Sequence, residues 1–276
     1  MQFLMIVDDP QIAAFVASAG VDRLFVDLEY IGKDVRQKNV ASWKSKQTSE
    51  DVSKIRKAAP DAHLLVRINP LHDGTAQELD DVIARGADSV MLPMFSTTTE
   101  LAQFYDLLDD RVEAVPLFET KSSLDHLPEM IAKLPLTRLH IGLNDLHLDM
   151  GLTFMFETIA DGTLEAPCAA LRAAGIPFGI GGVARAKEGI VSPEYLLGEH
   201  VRLGSSGAIL SRTFHRGSER LEDLQREMDF ADEIDKLRAI YDRFMQADTP
   251  TLDANRAQTS DRISDVVHLI KQRSSS

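Results

Sequence analysis

One cysteine, Cys168, occurs in 276 residues, so neither an intrachain disulfide framework nor a thiolate metal cluster can form. Basic residues are also in deficit. Thirty Lys plus Arg stand against 43 Asp plus Glu, a net charge of −13, which makes the chain a poor partner for nucleic-acid phosphates or anionic membrane surfaces. No apolar run approaches the ~20 residues of a membrane span. The start, Met1 to Val7 followed by Asp8 and Asp9, has neither the basic residues nor the apolar length of a secretory signal. These deficits predict a reducing, cytoplasmic setting with no nucleic acid and no membrane. What is present is an ordinary globular mixture, 44% hydrophobic and 26% charged. Its compact apolar runs exclude disorder, and its length suits one α/β domain of about 250 residues or two smaller ones.

Short apolar runs bounded by turn residues recur at Phe3–Val7, Leu24–Leu28, Leu64–Val66, Val90–Leu92, Val115–Phe118, Leu139–Ile141, Phe178–Ile180 and Ala208–Leu210. Runs without alternation suit strands buried on both faces of a parallel sheet. Segments of helical spacing lie between them. Thr75–Arg85 places Leu79, Val82 and Ile83 on one side, with Gly86 just past its end. Cap chemistry stands at Thr48-x-x-Asp51, Ser96-Thr97-Thr98 and Ser192-Pro193. Arg67, Pro93, Glu119 and Asp145 each follow a strand-like run and stand 26 residues apart, the length of one strand, one helix and two loops. Eight such units predict an α/β fold of the closed (β/α)8 TIM-barrel type, with an open doubly wound sheet as the alternative. The barrel is expected over residues 1–215 and a helical extension, for packing or oligomerisation, over 216–276. In that extension Leu221, Leu224, Met228, Ile234, Leu237, Tyr241 and Phe244 form an amphipathic stripe. Asp248–Ser260, with Pro250, reads as a linker before a last helix.

In such a barrel chemistry gathers at the carboxyl ends of the strands. Asp27, Glu29, Arg67, Glu119 and Asp145 all fall there, four carboxylates and one guanidinium. Oxygen donors of this kind suit a hard divalent cation such as Mg2+, and Glu119 with Asp145 on neighbouring units is the best-placed pair. The plainer reading makes each a strand-end carboxylate capping the next helix. Arg67 can hold a substrate carboxylate or stabilise an enolate oxygen, or it can form a structural salt bridge to Asp27 or Glu29.

Two glycine-rich stretches, Gly179–Arg185 and Gly204–Gly207, are read as following the last two strands. Their amides, including those of Gly181, Gly182, Ser205 and Ser206, can bind an anionic substrate group with help from Arg185, or simply make the turns that close the barrel. The loop 30–48 carries Lys33, Arg36, Lys38, Lys44 and Lys46 against Asp34, together with Trp43. It can recruit an anionic substrate arm, or present a solvated face or a subunit contact.

Val26-Asp27-Leu28-Glu29, Val66-Arg67, Gly86 to Met94, Phe118-Glu119-Thr120 and Ile141 to Leu146 resemble, in order and spacing, the HpcH/HpaI aldolase and citrate-lyase β-subunit family over residues 1–212. The resemblance implies a phosphoenolpyruvate/pyruvate-type barrel. It also implies Mg2+, Mn2+, Co2+ or another divalent ion on Glu119 and Asp145, a pyruvate-type ligand on that ion, Arg67 at its carbonyl or enolate oxygen, and the amides around Asn144 and Asp145 at its carboxylate. In the aldolase branch the second-strand motif runs into a histidine used as acid–base. Tyr30 stands there in this chain, and Asp27-Leu28-Glu29 sits closer to the citrate-lyase branch. His72 and His147 are the replacement candidates, each with a surface or supporting role as the alternative, and His140 is expected in the core. The combined expectation is a metal-dependent carbon–carbon lyase, with Asp27 and Glu29 orienting waters or the arginine. Its substrate is a 2-oxo acid plus an aldehyde. An acyl-coenzyme A lyase and a catalytically silent sugar- or phosphate-binding barrel are the alternatives, and a homo-oligomer is expected.

Overall fold

The computed structural model describes residues 1–33, 47–214 and 220–274. Nine strands, β1 (Gln2–Ile6), β2 (Arg23–Asp27), β3 (His63–Arg67), β4 (Ser89–Met91), β5 (Glu113–Ala114), β6 (Leu117–Phe118), β7 (Leu139–Ile141), β8 (Phe178–Val183) and β9 (Gly207–Leu210), all pair in parallel. Their order is β5-β4-β3-β2-β1-β9-β8-β7-β6. The two ends of that order are halves of one stave. Val115 N donates to Val90 O (2.9 Å) and Leu117 N to Leu92 O (2.9 Å), while His140 N donates to Pro116 O (3.0 Å). Pro116 has no N–H of its own, which interrupts the ladder without opening the barrel. Eight staves therefore close on themselves, and the open-sheet alternative is excluded.

Side chains alternate across each strand. Leu4, Phe25, Leu65, Met91, Val115 and Leu117 fill the barrel interior, while the larger core, from Phe3 and Val26 to Leu139 and Ile180, lies between the strands and the helices outside. The inward parity carries Phe25 down to Arg23 and up to Asp27, Leu65 down to His63 and up to Arg67, and Leu117 up to Glu119. Each barrel end thus receives charged side chains from the same strands.

The expected caps form. Thr48 and Asp51 make a capping box, Thr97 caps Thr98–Leu108, and Ser192 precedes Pro193–Leu203. Past the barrel, the helix Phe230–Met245 packs Phe230 edge-on against Phe15 and Phe214, and Tyr241 Oη donates to Ser205 O (3.0 Å). The linker expected over Asp248–Ser260 is instead the first half of one helix, Thr249–Ser274. Pro250 starts that helix rather than breaking it, because Asp248 accepts from Thr251 N (3.0 Å) as an N-cap and a first-turn proline has no N–H to lose. Over its first half the buried face is polar, Asn255 and Thr259 four residues apart, and the buried apolar residue of the same row, Ile263, comes only after it, which hid the helical period. No helix among the described residues is long and apolar enough to cross a membrane.

Candidate active site

Asp27 and Arg67 are register partners on neighbouring strands, and the guanidinium meets the carboxylate side-on, Nε to Oδ1 at 2.9 Å and Nη2 to Oδ2 at 2.8 Å. Glu29 lies 3.4 Å from the same Nη2. The structural salt bridge and the site residue are therefore one arginine. Nη1 keeps its donors, with no partner among the described residues. Burial works to raise Asp27, but Arg67 and Lys33 outweigh it and hold the carboxyl at about 2. Burial alone would weaken the Arg67 charge; Asp27 and Glu29 more than restore it.

Glu119 ends the split stave and is buried. Its only hydrogen bond among the described residues comes from Met94 N (3.2 Å), a residue held in the left-handed region at φ 58°. Gly142, at the end of the neighbouring strand, makes room for it: a Cβ there would fall 2.9 Å from Glu119 Oε2. Asp145 comes not from a strand but from the first turn of the helix Leu143–Asp149, for which Gly142 is the N-cap. Burial first, and then the charge of Asp145, push the Glu119 carboxyl well above its usual range, with Arg67 opposing. A buried, glycine-cleared Glu119 whose carboxyl is raised by the acid beside it fits a divalent cation, which would relieve that repulsion. No three His, Cys, Asp or Glu side chains are gathered into a metal set among the described residues, so the other ligands would be water and substrate oxygens, as Mg2+ prefers.

The remaining expected residues divide. Asn144 stands beside Asp145 at the helix start, and Gly181 (φ 47°) lies on β8 against Leu143, with Gly182 following it. His147 is buried, but it is two residues beyond Asp145 and so about 200° around the helix, its Nδ1 on Leu143 O (3.2 Å). His72 has both ring nitrogens occupied locally, Nδ1 by Gly74 N (3.0 Å) and Nε2 by Glu78 (3.2 Å). The Tyr30 side chain is 68% exposed. Arg185 is turned away from an anion site: Nη2 meets Glu188 at 2.5 Å and Nη1 the Met228 sulfur at 3.8 Å. Ser205 and Ser206 are corrected outright. Their segment precedes β9 rather than following it, so it lies at the opposite, amino end of the barrel, where Ser205 Oγ meets His200 (2.9 Å) and Ser206 N donates to Phe178 O (2.9 Å). The basic-loop reading, Trp43 included, falls almost wholly on residues 34–46, outside the described residues.

The exception is Lys33, whose ammonium is buried on Asp27 and Glu29. The sequence places it in a basic run that recruits an anionic substrate arm or presents a solvated face or a subunit contact; its spacing of four from Glu29 is the signal for the pairing. Asn69 was also missed. Its Oδ1 accepts from Tyr30 N and Ile31 N (both 3.0 Å) and turns the chain after Glu29.

A family model, HpcH/HpaI aldolase/citrate lyase, matches residues 2–186. Among solved structures, an HpcH/HpaI aldolase from Desulfitobacterium hafniense superposes with TM-score 0.60 at 15% identity, over 83% of this chain and 93% of that one. The citrate lyase β subunit of Mycobacterium tuberculosis, complexed with oxaloacetate and magnesium, gives 0.59 at 16% identity, over 87% and 96%. A further M. tuberculosis structure, the protein CitE with magnesium and pyruvate, gives 0.61 at 16%, over 94% and 97%. No protein of curated function matches the sequence.

Proposed function

Because the chain belongs to the HpcH/HpaI aldolase/citrate lyase family, we propose that it is a divalent-cation-dependent carbon–carbon lyase acting on a 2-oxo acid through a pyruvate-type enolate. The observation that carries this reading is the buried pair Glu119 and Asp145 beside an arginine that keeps one donor nitrogen in reserve. Glu119 and Asp145 would hold Mg2+, or Mn2+ or Co2+ in its place. When bound, such an ion supplies positive charge where the enolate develops. Arg67, fixed by Asp27, offers Nη1 to the enolate oxygen as the carbon–carbon bond breaks and its electron pair passes to the oxo-acid fragment. Asn144 and the amides beside it meet the substrate carboxylate. The proton of the departing hydroxyl needs an acceptor that Tyr30, His72 and His147 are poorly placed to be. Asp27 and Glu29 stand at the same rim beside Arg67, and we assign to these two acids the ordering of the water that takes it.

A coenzyme A thioester substrate gains no support from Arg185, one of its two expected phosphate partners, which is engaged by Glu188, while the other, the loop 30–48, lies almost wholly outside the described residues. The test is solvent exchange of pyruvate methyl protons in D2O with saturating Mg2+. Exchange by the wild type that Asp145→Asn reduces at least about 100-fold is expected. Absence of exchange by the wild type would overturn the reading.

A further inference from the structure

We propose that the amino end of the barrel, opposite the candidate active site, binds one small oxyanion that keeps a hydroxyl, of the hydrogen phosphate kind. Its residues lie at the other end of the strands from Glu119 and Asp145, so this site stands independently of the lyase reading. Gln2, Arg23, Arg138, His140, Gly179 and Gly207 line a cavity of about 20 Å3 there, room for one water-sized group such as a single oxygen of a bound anion. Gly179 and Gly207 are register partners, and the side chains they lack make that room.

The mouth of the cavity carries surplus positive charge. Buried Arg23 places Nη1 2.5 Å from Glu113 Oε2. Arg138, partly exposed, gives Nε to Oε1 of the same carboxylate (2.9 Å) and Nη1 to Gln2 Oε1 (3.1 Å). Two guanidiniums thus share one acid. The nearby acids Asp22 and Asp88 are paired elsewhere, with Arg238 and Arg56, and burial and the Arg23 charge hold His63 below its usual value, so it is neutral near pH 7. Arg138 Nη2 and Gln2 Nε2 have no partner among the described residues, and both are donors on side chains that line the cavity. Its depth asks for a donor instead. His140 Nε2 meets the Gly181 carbonyl (3.0 Å), which can only accept, and burial keeps the ring neutral by pushing it down to about 4. The ring proton is therefore on Nε2, and Nδ1 is an acceptor. Nδ1 lies against the glycine wall, where a Cβ on Gly179 would strike it. Donors at the mouth and one acceptor at depth match hydrogen phosphate, which has both anionic oxygens and an O–H, and not sulfate, which has no O–H.

The experiment is calorimetric titration of phosphate, and separately of sulfate, into the metal-free protein near neutral pH. It compares wild type, Gly207→Ala, Arg138→Gln and Arg67→Met, each checked for cooperative melting. A Cβ at Gly207 meets nothing nearer than the Gly179 Cα at 3.4 Å, so Gly207→Ala should fold with the cavity filled. The wild type should take up a single phosphate, with sulfate at least about tenfold weaker. Gly207→Ala and Arg138→Gln should each weaken phosphate binding at least about tenfold, while Arg67→Met, at the other end, leaves it unchanged. Gly207→Ala decides the matter if Arg138→Gln does not fold. No phosphate uptake by the wild type, sulfate bound equally well, wild-type binding by Gly207→Ala, or a loss confined to Arg67→Met would each overturn the site. None of these results touches the lyase reading, which is tested by cation binding and proton exchange.

Discussion

The two ends of the barrel are made from the same strands and treat charge in opposite ways. At the amino end Glu113 lies between two arginines, 2.5 Å from Arg23 and 2.9 Å from Arg138. His63 bridges Arg23 and Ser89, and Arg138 reaches Gln2. Burial would raise Glu113, yet its hydrogen bonds and the arginine charges hold it below the usual range. At the carboxyl end Arg67 and Lys33 likewise hold Asp27 down, but Glu119 beside it is forced upward by burial and by Asp145. One end answers its buried charge from within the chain. The other raises Glu119 through burial and the neighbouring charge of Asp145, the feature on which the proposed cation site rests.

The sharpest way to break this comparison is to make the same change at both ends. Glu119→Gln should abolish divalent-ion binding, at least about 100-fold by calorimetry, while Glu113→Gln leaves it unchanged. Equal loss in both variants would mean that the ends are not distinct. Arg67→Met should reduce turnover about 100- to 1000-fold yet spare ion binding, because the guanidinium is assigned to the enolate and not to the metal. Stability should divide the other way. Glu113→Gln leaves Arg23 and Arg138 facing each other and should cost about 3 kcal/mol in denaturant melts, whereas Glu119→Gln in the metal-free protein costs nothing or stabilises.

A smaller effect concerns the histidine beneath the site. Burial pushes His140 down to about 4, and its Nε2 meets Gly181 O at 3.0 Å. In the unfolded chain it titrates near 6.5, so between pH 6.5 and 4 the unfolded state binds the extra proton. Stability is complete above 6.5 and falls by about 2–3 kcal/mol as pH drops toward 4. His140→Gln should reduce the slope of that part of a Tm-against-pH curve, with His200, pushed down to about 3 by burial, supplying the remainder; an unaltered slope would remove His140 from the account. The smallest expected change is at Gly142→Ala, whose Cβ would crowd Glu119 and weaken ion binding about tenfold with little loss of fold.

Most of the architecture was legible because parallel strands are local, apolar and regularly spaced. Leu139–Ile141 was read to the residue, and the 26-residue interval carried Arg67, Glu119 and Asp145 to one rim. The errors share another cause. Gly204–Gly207 looks like a phosphate loop until its place before β9 is respected, and His147 looks close to Asp145 until the helix turns it away. Pro250 reads as a break because the buried face after it is polar.

The sequence by itself determined the strands, their order and the row of charged residues at the carboxyl end, since these follow from short unalternating apolar runs and the length of a strand–helix unit. The tertiary structure alone decided which acid each cation answers. Lys33 went to Asp27 and Glu29, Arg185 went to Glu188, and Glu119 was set where Asp145 raises it and Arg67 opposes. Charge pairing depends on distances and burial that only the closed barrel creates, and residues far apart or adjacent along the chain give no measure of either.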